Sequence, residues 1–215
     1  MIKEFEKRLL SSFILIPIAI FFIIKGSVLF VFFLSVLFLI TSHEWIKMNK
    51  KNDLLKYLGI SFLLFSFYAT FEIREENNLK YFLFIITICI FTDIGGYLFG
   101  KIFNGPKLTK ISPNKTYAGM LGGFVLSLIV ASLFLSNLNI FSLSNADHHL
   151  EKNIMIVVLC ISFISQVGDL IISFFKRKSK VKNTGKIIPG HGGILDRIDG
   201  MLFAYPFIYI STKIL

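Results

Sequence analysis

The sequence has little acid, almost no cysteine and none of the common phosphate-binding motifs of soluble enzymes. Its 215 residues hold 13 Asp and Glu against 23 Lys and Arg, with two Cys and four His. Cys89 and Cys160 lie inside apolar runs, with no CxxC partner and no nearby His. They read as small buried apolar side chains rather than a metal or redox pair. No GxxxxGK[ST] occurs, which excludes a P-loop. The Gly190–His191–Gly192 pattern carries Leu195 where a dinucleotide fingerprint needs Gly or Ala. No internal repeat and no separate soluble domain is visible. Lys3, Lys7 and Arg8 precede an apolar stretch, as in a signal peptide, but no small-residue cleavage site follows, so a retained first span is expected.

What the sequence has in excess is apolar surface. It is 54% hydrophobic, with 25 Phe and a mean hydropathy of +0.72. The excess falls in long runs, which sets the class. Runs at roughly 9–24, 27–42, 55–71, 81–99, 119–136, 154–175 and 200–214 predict an all-α, polytopic transmembrane bundle of about seven spans. The first two are short for a bilayer, and Arg8 and Lys25 can snorkel to extend them. One membrane domain over 1–215 is expected, with N-terminal spans in 1–80 and the chemistry in 81–215.

With seven spans the loops alternate sides, and Lys and Arg distribute 18 to 5 between them. The rich side is predicted to be cytosolic. The net charge of +10 is therefore mostly topology and not a nucleic-acid signal. The 176–199 loop alone holds seven positive residues, a surplus that anionic lipid headgroups or a polyphosphate can use. The polar 137–153 loop falls on the outer side, where His148 and His149 read as solvated rather than metal-binding.

Two acids interrupt apolar runs. Asp93 lies six residues before Phe99, and Asp169 six before Phe175. Each is roughly 9 Å below the predicted cytosolic end of its span. Ionisable groups at such positions are costly and usually functional, and equal depth suggests one shared site. Separate pairing of each acid with a Lys for packing is the alternative. Gly95–Gly96 and Gly168 beside them can admit a ligand or a close helix, whereas Gly119 and Gly123 form a GxxxG packing face.

The segment Lys176–Gly200 combines three chemistries. Lys176 to Lys182 is a cationic run. Pro189 to Gly193 is a turn whose glycines let backbone N–H groups approach anionic oxygens. Asp196 and Asp199 are three apart, on one face of a helix. Two such carboxylates suit Mg²⁺, and Asp169 can complete the group. Arg197 points elsewhere, to balance charge or clamp a phosphate. Together these describe a site for metal-bound phosphates. A positive-inside loop with a turn and an Asp-decorated helix start is the simpler reading, but it leaves the matched acids unexplained.

The run Ser173-Phe-Phe-Lys-Arg177, Lys182, and Pro189-Gly-His-Gly-Gly-Ile-Leu-Asp-Arg-Ile-Asp199 resembles the signature of phosphatidate cytidylyltransferases, or CDP-diacylglycerol synthases. SPNKTYAG at 112–119, TDIGGYLFGK at 92–101, GDL at 168–170 and HEW at 43–45 are similar to further family segments. Three positions depart from the pattern. Asn183 replaces a usual Asp, Ala118 a usual Glu, and Ile172 a frequent Glu. The resemblance implies a chain shorter than typical bacterial members, with fewer spans before Asp93.

The resemblance implies transfer of a cytidylyl group from CTP to phosphatidic acid at the cytosolic face of a bacterial inner membrane. It implies Mg²⁺, with room for a second cation, on Asp169, Asp196 and Asp199. Lys176 and Arg197 join these acids as catalytic residues. His191 either donates to a phosphate oxygen or only fixes the turn. Asp93, Ser112, Lys115, Thr116, Ser173, Arg177, Lys182, Gly192 and Gly193 are expected to bind substrate. Membrane lipids are partners, and the family allows a homodimer. Rival readings are a CTP-dependent enzyme acting on another lipid phosphate or alcohol, an ion-coupled transporter using Asp93 and Asp169, and an inactive lipid-binding homologue. No symmetry of paired halves favours the transporter.

Overall fold

The computed structural model describes residues 2–76, 79–138, 148–188, 190 and 192–214. These form seven helices: α1 Ile2–Lys25, α2 Ser27–Met48, α3 Asp53–Glu76, α4 Leu79–Phe103, α5 Tyr117–Leu138, α6 His148–Lys178 and α7 Leu195–Ile214. Each predicted run lies within one helix. The helices extend beyond the runs because polar residues at the ends keep their backbone bonds. The largest difference is at α6, which begins at His148 inside the segment expected to be a loop.

Five helices, α2 to α6, are long and apolar enough to cross a membrane. The protein is thus an all-helical, polytopic membrane protein. α1 has a shorter apolar part, Ser11–Lys25, and α7 opens on Asp196, Arg197 and Asp199. Both still run alongside the bundle. Lys213, in the last turn of α7, pairs with Glu76 at the end of α3 at 2.8 Å. Arg74, in the last turn of α3, donates through Nε to the Ile23 carbonyl near the end of α1 at 2.9 Å. The ends of α1, α3 and α7 therefore lie together.

Packing between helices relies on small residues, since lipid gives no hydrophobic drive for helix association. The most extensive pair is α4 with α5. A Cβ on Gly95 would lie 2.9 Å from the Gly123 Cα, and one on Gly123 would lie 2.9 Å from the Thr92 carbonyl oxygen. Only hydrogen fits there. On α6 and α7, a Cβ on Gly168 would meet the Phe203 ring at 2.6 Å and the Asp199 carbonyl oxygen at 3.0 Å. Gly200 is pressed equally hard against Ser165. This crossing sets Asp169 beside Asp199. Buried polar bonds tie further helices, with the Thr92 hydroxyl on Ser162 at 2.8 Å and the Ser66 hydroxyl on the Leu202 carbonyl at 2.8 Å. The apolar core between them includes Phe30, Leu63, Phe82, Ile85, Ile88 and Ile161.

Candidate functional site

The site lies at the bundle end formed by the α4–α5 loop and the α6–α7 loop. The first of these, 104–116, is shaped by its own bonds. Leu108 donates to the Lys115 carbonyl, and Lys115 donates back to Ser112 across the Ser-Pro-Asn-Lys turn. Pro113 occupies the second place of that turn, where its fixed φ is favourable. The Thr116 hydroxyl accepts from Gly119 N–H at 3.0 Å and so caps α5. Lys115 is thereby aimed at α6, where its ammonium pairs with Asp169 at 2.6 Å. The Ser173 hydroxyl reaches the other Asp169 oxygen at 3.3 Å.

A pocket of about 290 Å³ opens here, with Asp93, Ser112, Lys115, Thr116, Gln166 and Asp169 among its lining residues. Asp93 is exposed in it and interacts electrostatically with Asp169 and Lys115. Asp199 is 7% exposed. It lies within electrostatic reach of Asp169, Lys176 and Asp93. Three carboxylates and two lysines from α4, α5's leading loop, α6 and α7 therefore form one charged group. The equal depth of Asp93 and Asp169 in the sequence corresponds to their meeting in one pocket.

Asp196 and Asp199 serve different neighbours. One Asp196 oxygen pairs with Lys176 at 2.8 Å, with both side chains about a tenth exposed. Its other oxygen accepts from the Thr184 and Gly193 N–H groups at 2.9 and 3.1 Å. Asp196 sits in the first turn of α7, where a carboxylate satisfies N–H groups that lack helical partners. Asp199, one turn on, faces α6 and accepts from Gly200 N–H at 3.0 Å.

The turn before α7 is closed by paired bonds between Ile188 and Gly192 at 3.0 and 3.2 Å. Gly190 and Gly192 take φ of 76° and 91° there, which disfavours a side chain. A Cβ on Gly192 would also lie 3.0 Å from the second Asp196 oxygen. Arg177, Lys182 and Arg197 are exposed on the same end, with Arg177 donating to the Ile111 carbonyl at 3.4 Å. Pro189 and His191 lie outside the described residues. At the three departures from the family pattern, Asn183 packs against Gly192, Ala118 against Gly105, and Ile172 is buried in the apolar core.

One residue gained no role from the sequence beyond its place in HEW. Glu44 of α2 is 1% exposed. Its carboxylate accepts from Thr184 Oγ1 at 2.9 Å, Ile194 N–H at 3.1 Å and Leu195 N–H at 2.9 Å. It thus caps α7 from about 150 residues away. Gly193 has no room for a Cβ because the Glu44 carboxylate fills that space. The available signal was an acid two residues beyond the end of an apolar run.

A membrane-embedded helical bundle with a mixed acid–lysine pocket at one end is the form expected of an enzyme that handles phosphates at a membrane surface. The profile of the Cytidylyltransferase family matches residues 54–215, and the chain belongs to that family. The phosphatidate cytidylyltransferase of Staphylococcus haemolyticus is 41% identical over 159 residues, covering 72% of this chain and 55% of that protein. The proteins of that name from Staphylococcus aureus and Staphylococcus epidermidis are 42% and 40% identical, with the same coverage. The chain spans about half the length of the curated relatives it matches.

Proposed function

We propose that this protein transfers the cytidylyl group of CTP to phosphatidic acid, giving CDP-diacylglycerol and pyrophosphate. The observation that carries this is the meeting of Asp93, Asp169 and Lys115 in one pocket at the end of a membrane bundle, with the buried Asp199 and with Lys176 in electrostatic reach of those acids. The relatives named above act in the same sense by their names. In the reaction a phosphatidate oxygen attacks the α-phosphorus of CTP, a new P–O–P bond forms, and the bond to the β-phosphate bridging oxygen breaks. Pyrophosphate leaves with the electron pair.

The attacking phosphate monoester is already anionic, so the barrier is mainly the approach of two anions and the charge on the leaving group. Positioning and electrostatics then carry catalysis. Lys115 is placed on the pocket wall to hold phosphate oxygens. Lys176, fixed by Asp196, lends positive potential from below. Arg177, Lys182 and Arg197 are exposed at the same end of the bundle and suit the polyphosphate tail.

Mg²⁺ belongs to this proposal. Asp199 fits it best, because it accepts only the Gly200 N–H among the described residues, and Asp169, within its electrostatic reach, would join it by exchanging Lys115 for the metal. Asp196 has both oxygens engaged, and no group of three or more His, Cys, Asp or Glu is gathered as a metal site among the described residues. When bound, Mg²⁺ would neutralise charge on the nucleotide phosphates. The 18 to 5 distribution of basic residues supports a cytosolic site in a bacterial inner membrane.

The test is turnover by the purified chain in detergent with CTP, phosphatidate and Mg²⁺. The wild type is expected to release pyrophosphate and form CDP-diacylglycerol, and Asp199→Asn to lose roughly a hundredfold in kcat. Near-normal turnover by Asp199→Asn removes the metal assignment, and an inert wild type removes the activity.

A further inference from the structure

A second, larger pocket of about 450 Å³ lies beside the acid-lined one, and Lys101, Asn104 and Lys107 are among its lining residues. The two pockets share Gly96, Tyr97, Asn114 and Thr116 in their linings, so they adjoin each other. Their charges differ. The first is lined by two aspartates and one lysine. The second is lined by two lysines and no acid. Lys101 and Lys107 are exposed, and neither is paired with a carboxylate among the described residues.

Apolar surface adjoins the second pocket. Tyr97 of α4 lines it and is 66% exposed, and Ile102 and Phe103, between the lining residues Lys101 and Asn104 in the chain, are 68% and 64% exposed on a helix able to span the bilayer. Such a boundary holds a lipid tail on the outside and an anionic head within. We infer that this lateral pocket is the entry subsite for a lipid bearing a terminal phosphate monoester, held by Lys101 and Lys107. The inference rests on the proposed reaction for what happens next. The lipid phosphate is attracted by the two lysines, which holds it beside the nucleotide pocket until the two substrates meet at the junction.

Gly96 marks that junction. A Cβ there would have only the Gly119 carbonyl oxygen within 4 Å, at 3.8 Å. That contact is an ordinary one, unlike those of a Cβ on its neighbour Gly95, which is pressed onto α5. A side chain at position 96 obstructs the passage between pockets without disturbing the helix pair.

Two sources of phosphate can occupy this pocket, the lipid headgroup or the β- and γ-phosphates of the nucleotide, and kinetics separate them. Lys101→Ala and Lys107→Ala are each expected to raise the apparent KM for phosphatidate in mixed micelles by about tenfold, with KM for CTP unchanged. Lys51→Ala, an exposed loop change, is the control. A rise in KM for CTP instead assigns the pocket to the nucleotide and overturns the inference, as does no change in either constant. Binding gives a readout that does not need turnover. Native mass spectrometry in detergent is expected to show retention of phosphatidate over phosphatidylcholine by the wild type and its loss in the double variant. Lipid selectivity equal in both overturns the subsite. Selective binding by a wild type that makes no CDP-diacylglycerol removes the proposed reaction and leaves the subsite standing.

Discussion

Asp196 and Asp199 are three positions apart and bond to different partners. The sequence placed both on one helical face as a metal pair. Asp196 instead sits where a helix begins, and the unsatisfied N–H groups of Thr184 and Gly193 claim it along with Lys176. Asp196→Asn removes one partner of a nearly buried ion pair and is expected to cost about 3 kcal/mol in stability. Asp199→Asn removes a carboxylate crowded by Asp169 and Asp93, so stability is expected to hold or rise while turnover falls. Thermal unfolding of both variants in detergent, alongside kcat, checks the contrast. Glu44 was visible in the sequence only as an acid in an apolar context. Its partners are 140 to 151 positions away, and no local pattern encodes such a choice. Glu44→Gln keeps one acceptor but turns an N–H₂ toward the donors of the α7 start. A loss of about 2 kcal/mol in unfolding free energy is expected, measured by denaturant titration in mixed micelles.

At the scale of elements, apolar runs made all seven helices legible, because bilayer hydrocarbon leaves the backbone no partner but itself. Their ends were less legible. Residues 148–153 read as loop by polarity, yet α6 starts at His148, since polar residues beyond the hydrocarbon can continue a helix at little cost. The glycine pairs were only half legible. Gly95–Gly96 admitted either a ligand or a close helix, and the two differ in the room around them. Gly95 has no space for a Cβ against α5, whereas a Cβ on Gly96 would make only an ordinary contact with the Gly119 carbonyl oxygen at 3.8 Å. Gly95→Leu is expected to separate α4 from α5 and yield little folded protein. Gly96→Ala is expected to unfold within about 1 kcal/mol of wild type, with its effect confined to substrate kinetics. Size-exclusion yield and unfolding of the two variants test the division. Equal loss in both would mean that position 96 is a packing site as well.

At the scale of the whole molecule, the orientation depends on how many helices cross, and two are marginal by hydropathy. The basic loops do not depend on those two. With α2 to α6 crossing, the segments 49–52, 104–116 and 179–194 fall on one face by alternation. The contacts of Lys213 with Glu76 and of Arg74 with Ile23 then place the ends of α7 and α1 at the opposite face, where α3 ends. Seven helices traverse the bundle even though α7 carries the acids of the site in its first turns. That arrangement has a physical reason. A helix capped by Glu44 and held by Asp196 can begin with charge because its first turn is buried against protein and not lipid. The expected topology follows. In a chain with Cys89 and Cys160 replaced by Ala, Lys186→Cys and Lys110→Cys should react with an impermeant maleimide only after the inner face is exposed. Lys25→Cys should react in intact cells. Labelling of Lys110→Cys from outside would place the site on the far side from cytosolic CTP, and the proposed reaction could not stand with it.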